Sequence, residues 1–288
     1  MDRRSFIQNG LGAMGVPLFA GFSSFVRVPE YRSNGIDIPI GFQSFVLRNE
    51  LSRQPAEVMT RMAGYGYRHI EMCSPSGYVG AGFQPLVKYS GKELKKMITD
   101  SGLECSSCHF TLREMSNNLE ERIDFARQMG LKHMVCSGGI VAPTLDKVKK
   151  NCELMNQIGE KVRQAGMVAG YHNHNGEFEE KIQGKPQYDI ILDELQPDLV
   201  KMQFQVAAIQ VGYKAADYFR RYPGRFISAH LQDYNKGDMK TQVVLGQGVV
   251  DWKDFFDAAK GGGVEVVYVE MESDPATLKG SADYLKTL

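Results

Sequence analysis

Beyond residue 35, short apolar runs alternate with longer stretches in which apolar positions recur every three or four residues. The first pattern predicts buried strands, the second amphipathic helices packed on them. Ile36 to Val46 reads as a strand. Ser52 to Met62 reads as a helix with Val58, Met59 and Met62 on one face, stopped at Gly64-Tyr-Gly66. The unit then repeats. Strand Tyr67 to Glu71 leads to helix Gly91 to Ser101, capped by Ser90, and strand Leu103 to Phe110 to helix Asn118 to Met129. Strand Lys132 to Cys136 precedes helix Leu145 to Ala165, and a strand ending at His174 precedes helix Tyr188 to Leu195. Strands Val200 to Val206, Arg225 to Leu231 and Val264 to Glu270 alternate with helices Ala215 to Tyr222, Trp252 to Ala259 and Thr277 to Leu288. Units of strand and helix repeating at roughly 25–35 residues imply parallel strands with right-handed crossovers. Eight of them predict an α/β protein with a (β/α)8 TIM barrel. A doubly wound open sheet is the competing architecture, but no G-x-G-x-x-G follows the first strand.

The strand ends break the apolar pattern. They carry Glu71, His109, His172 and His174, Gln205, His230 with Asp233, and Glu270. A single His at a strand end is more often a satisfied polar group than a ligand, and Glu71 equally fits a simple ion pair. In a barrel, however, all these ends converge on one mouth, which predicts a shared polar pocket. Imidazole, carboxylate and amide groups together suit a divalent metal that polarises a carbonyl or hydroxyl. A neighbouring carboxylate then takes a proton from carbon. Glu270 is the candidate base, with His172 and Asp233 as further catalytic candidates. Glu71, His109, His174 and Glu177 are candidates for binding substrate.

Composition narrows the field. The 288 residues are 43% hydrophobic and 24% charged, enough for a full core, and 34 basic residues balance 34 acidic ones. Nothing in that balance favours a nucleic acid, and no apolar run after the first thirty residues is long enough for a membrane anchor. Residues 1–30 differ. Arg3-Arg4 precedes a glycine-rich apolar stretch, Leu11 to Phe25, which resembles a twin-arginine export signal and implies a periplasmic or otherwise exported protein. Residues 31–288 then form the single barrel. Five cysteines are too few and odd in number for a disulfide framework. Cys105 and Cys108 stand three apart on a strand, so they face opposite sides and read as core residues.

Five segments carry a resemblance: Gly64 to Glu71, Gly170 to His174, Ala229 to Asp233, Leu245 to Trp252, and Tyr268 to Glu270. In this order they resemble the xylose-isomerase-like sugar isomerase/epimerase superfamily of TIM barrels, shared with endonuclease IV. The resemblance implies a small carbohydrate substrate and an isomerase, epimerase or lyase activity; a homo-oligomer is compatible with it. It also implies a divalent metal (Mn, Co, Ni, Zn or Mg) held at the ends of strands five to eight, here His172, Gln205, His230 and Glu270. His172 stands where the ketose epimerases have Glu, and Gln205 where they have Asp. The ligand charge falls from minus three to minus one, which favours metals that accept nitrogen. One strong base is left, which suits isomerisation or β-elimination, including cleavage of 3-keto-glycosides, better than two-sided epimerisation. A sugar-binding protein that has lost the metal is the competing reading.

Overall fold

A computed structural model describes residues 36–288; the export signal expected over residues 1–30 lies outside the described residues. Eight parallel strands close into a barrel: β1 Ile40–Gln43, β2 His69–Cys73, β3 Glu104–Phe110, β4 His133–Cys136, β5 Val168–His172, β6 Val200–Gln205, β7 Phe226–Leu231 and β8 Val266–Val269. β1 pairs with both β2 and β8, which completes the ring. The outer layer is α1 Pro55–Tyr65, α2 Gly91–Asp100, α3 Leu119–Met129, α4 Leu145–Gln164, α5 Gln187–Glu194, α6 Ala215–Arg221, α7 Trp252–Gly262 and α8 Thr277–Leu285. Ser90 and Glu93 form a reciprocal capping box at α2, while Gly66 ends α1 at φ 108°, a conformation only glycine adopts cheaply. Among the described residues no helix is long and apolar enough to cross a membrane.

Two expectations need correction. β1 stops at Gln43, because Ser44–Leu47 turns into a 3-10 helix whose Phe45 N–H donates to the Gln43 side chain. β5 ends at His172 rather than His174. There the Asn173 side chain replaces the ladder, accepting from the Gln205 N–H at 3.1 Å. The five cysteines are free thiols, four of them buried, as the core reading requires.

Strands of an all-parallel barrel are buried on both faces, so they usually read as continuous apolar runs. Here the two faces differ. Phe42, Met72, Cys108, Phe204, Leu231 and Val269 pack in the hydrophobic cluster. The alternating positions Gln43, Glu71, Ser107, His109, Gln203, Gln205, Ser228 and His230 are polar, yet each is at most 5% exposed. Period two thus sends one set outward into the helix layer and the other into a polar barrel interior.

Candidate active site

The site is built on Glu71, at the middle of β2. Its carboxylate is fully buried and surrounded by donors. Oε1 accepts from Ser107 Oγ at 2.6 Å and Gln203 Nε2 at 2.8 Å. Oε2 accepts from Gln43 Nε2 at 2.7 Å and His230 Nε2 at 2.5 Å, with His109 Nε2 at 3.2 Å. Burial alone would raise this carboxyl, but the His109 and His230 imidazoles hold it well below the usual carboxylate range.

His230 bridges upward, its Nδ1 lying 3.0 Å from Glu270 Oε2. Burial works against a charged imidazole, yet the Glu270 and Glu71 carboxylates on its two nitrogens push it up to about 10. Glu270 Oε2 also accepts from Gln205 Nε2 at 2.5 Å and lies 3.5 Å from Gln232 Nε2. All three contacts fall on Oε2 and none of them on Oε1. Burial pushes the Glu270 carboxyl up and His230 more than offsets it, leaving it below the ordinary value.

Two buried atoms beside this chain have no hydrogen-bond partner among the described residues: His172 Nδ1 and Gln205 Oε1. A buried polar atom left unpaired costs about 1–3 kcal/mol. Burial first, then the nearby His230 and His109, drive His172 well below the ordinary histidine value, so it stays neutral with a lone pair to offer. One ring nitrogen from each of His109, His172 and His230 lies within 4.8 Å of the others. The orphaned atoms and this donor set fit a divalent metal.

The structure therefore brings Glu71, His109, His172, Gln205, His230 and Glu270 into one cluster. His174 sits outside it, with its side chain 56% exposed and its ring edge-on to His172 at 4.9 Å. Burial lowers its basicity, but Glu177 reverses the shift, and the net direction is upward. Two candidates are corrected. Asp233 does not face the cluster, because its carboxylate accepts from the N–H groups of Tyr234, Gly246, Gly248 and Val250 and from Trp252 Nε1, all within 3.2 Å. It shapes the loop before α7. Glu177 is likewise occupied, accepting from Tyr171 Oη at 2.7 Å and the His174 N–H at 2.9 Å. It braces the end of β5.

Asp233→Ala is expected to lower the unfolding free energy by about 2–3 kcal/mol, since several donors lose a charged acceptor together. Urea unfolding beside turnover checks it: lost turnover at unchanged stability would return Asp233 to the chemistry.

Gln43, Ser107, Gln203 and Gln232 were not anticipated. Gln203 lies two residues before Gln205, and Ser107 two before His109, so stepping back by two from each strand-end residue would have found them. The Gln203 amide nitrogen donates to Glu71 and to Ser228 Oγ at 2.8 Å each, while its oxygen meets His109 Nε2 at 2.6 Å.

Comparison with known proteins agrees with the barrel fold. Residues 59–288 match the model of the xylose isomerase-like TIM barrel family. An inosose dehydratase of Geobacillus thermodenitrificans is 26% identical over 241 residues, covering 70% of this chain and 80% of the relative. A sugar phosphate isomerase/epimerase structure from Parabacteroides distasonis superposes with a TM-score of 0.74 at 24% identity, covering 89% of this chain and 96% of that one. The IOLI protein, solved with a bound zinc atom, has the same fold at 15% identity and a TM-score of 0.64, covering 86% and 94% of the two chains. The chain belongs to the xylose isomerase-like TIM barrel family and is an enzyme of its isomerase, epimerase and lyase kind.

Proposed function

We propose that this enzyme catalyses β-elimination on a polyhydroxylated cyclic ketone, a keto-cyclitol or keto-sugar, with Glu270 as base. The observation that carries this reading is that Glu270 alone among the candidate acids near the cluster is not closed off by donors. Glu71, Asp233 and Glu177 are all occupied. Two-sided epimerisation needs a second base across the carbon, and the positions that carry carboxylates in the ketose epimerases are His172 and Gln205 here. The inosose dehydratase relatives support the same class, because a dehydratase removes water beside a carbonyl.

A divalent metal held by His172, Gln205, His230 and Glu270 would supply Lewis-acid polarisation of the substrate carbonyl. The remaining work falls to this chain's own groups. Glu270 removes the proton from the carbon next to the carbonyl, and the freed electron pair forms the carbon–carbon double bond. The β-oxygen leaves with its electron pair, protonated by His174 at the mouth. A glycosidic oxygen in the β position would leave the same way, the variant to expect for a 3-keto-glycoside. The twin arginine near the N-terminus supports an exported enzyme; secretion of the full chain, lost on Arg3→Lys/Arg4→Lys, tests that part.

Incubating the metal-loaded enzyme with keto-cyclitols and 3-keto-glycosides in D2O tests the reaction. An unsaturated ketone absorbing in the ultraviolet is expected; an epimer retaining all its oxygens would replace elimination by epimerisation.

The pH profile follows from the two shifts. Glu270 works deprotonated, so activity falls on the acid side as pH drops through a value below the ordinary carboxylate one. His174 works protonated, so activity falls as pH rises through a value above 6.5. A bell-shaped kcat/KM profile is the expected result, and His174→Ala should remove its alkaline limb.

A further inference from the structure

We infer that the metal is held chiefly by three imidazoles, with His109 on β3 as a ligand beside His172 and His230. This rests on the cation-assisted reading above, and extends it to a position outside strands five to eight.

The three histidines come from β3, β5 and β7. Alternate strands supply one layer of a barrel interior, so these side chains share a level. Their ring centroids lie 4.8 Å (His109 to His172), 4.4 Å (His172 to His230) and 5.1 Å (His109 to His230) apart. All three are at most 5% exposed.

The floor beneath them sets which nitrogen is free. A carboxylate cannot donate, so Gln203 must turn its amide nitrogen to Glu71 and its oxygen to His109. His109 Nε2 therefore carries the hydrogen, which leaves Nδ1 as the nitrogen able to offer a lone pair. Glu71 acts the same way on His230, accepting at Nε2, while Nδ1 lies 3.0 Å from Glu270 Oε2 and would exchange its proton for a cation held between them. His172 Nδ1 has no partner at all among the described residues. Glu71 and Gln203 are thus positioning residues, each holding one nitrogen of an imidazole so that the other can serve a cation. With Glu270 as the carboxylate and Gln205 Oε1 as a neutral oxygen, the set is dominated by nitrogen. That is the chemistry of Zn2+, Co2+ or Ni2+ rather than of Mg2+.

X-ray absorption on the full-length, zinc-loaded enzyme counts the imidazoles directly and needs no variant. Three are expected; two would overturn the assignment, and so would failure of the stripped protein to take up zinc or cobalt. His109→Ala should lower Zn2+ and Co2+ affinity by at least about 100-fold against a chromophoric chelator and change the visible cobalt spectrum. An unchanged affinity and spectrum would also overturn it. Glu71→Gln should weaken binding by about 10–100-fold while leaving the imidazole count at three, which separates positioning from ligation. Preference for zinc over manganese does not discriminate, because nearly any nitrogen and oxygen site shows that order. The elimination reading is judged by its product alone, so either idea can fail without the other.

Discussion

Replacing Glu270 by Gln is expected to lower kcat/KM by about 10³-fold with the fold unchanged. The amide keeps the size of the side chain, and its oxygen can still accept from Gln205 Nε2, now 2.5 Å from the carboxylate. What disappears is the ability to take a proton from carbon. Turnover measured beside circular dichroism decides the matter: activity within a few-fold of the parent enzyme would remove Glu270 from the mechanism. The accompanying loss of solvent deuterium incorporation would place the defect at proton abstraction, whereas a weakened metal site would also lower occupancy.

Glu71→Ala is expected to cost about 3–5 kcal/mol of stability, the usual penalty for removing one partner of a buried ion pair. Ser107, Gln203, Gln43 and His230 all donate to this carboxylate, and all four are fully buried. The dependence on pH has a definite sign. Glu71 has a folded pKa depressed below its unfolded value, so its contribution is complete above the unfolded value and fades as pH falls through the folded one. His230 has a folded pKa raised to about 10, so its contribution is complete below the unfolded value of 6.5 and fades as pH rises toward 10. Stability should therefore be highest between the ordinary Glu and His values. Denaturant unfolding across pH checks both arms; a Glu71→Gln variant with the parent's acid arm would contradict the account.

The family resemblance placed a metal on the last four strands, and the described cluster contains all four of those residues. It also contains Glu71 and His109, from the other half of the barrel. Asp233 shows the opposite outcome. Its place after β7, in an Ala-His-Leu-Gln-Asp segment, looked catalytic, yet the side chain turns back to hold the loop that ends at Trp252. Position along a strand end puts a residue near the mouth. It does not decide whether its lone pairs face the mouth or the loop behind it.

By itself the sequence determined the eight strand–helix units and the strand ends at which polar groups gather. Those patterns repeat over two or three to four residues, so neighbouring positions are enough to read them. Even there the pattern overextends β1 and β5, because a side chain, Gln43 or Asn173, replaces the backbone ladder where each strand stops. Only the tertiary structure decided which acid is enclosed by donors and which keeps an oxygen free of them. Glu71 meets His230 across 159 residues of chain and Gln203 across 132. A carboxylate's basicity depends on who donates to it, and those donors come from strands far away in sequence.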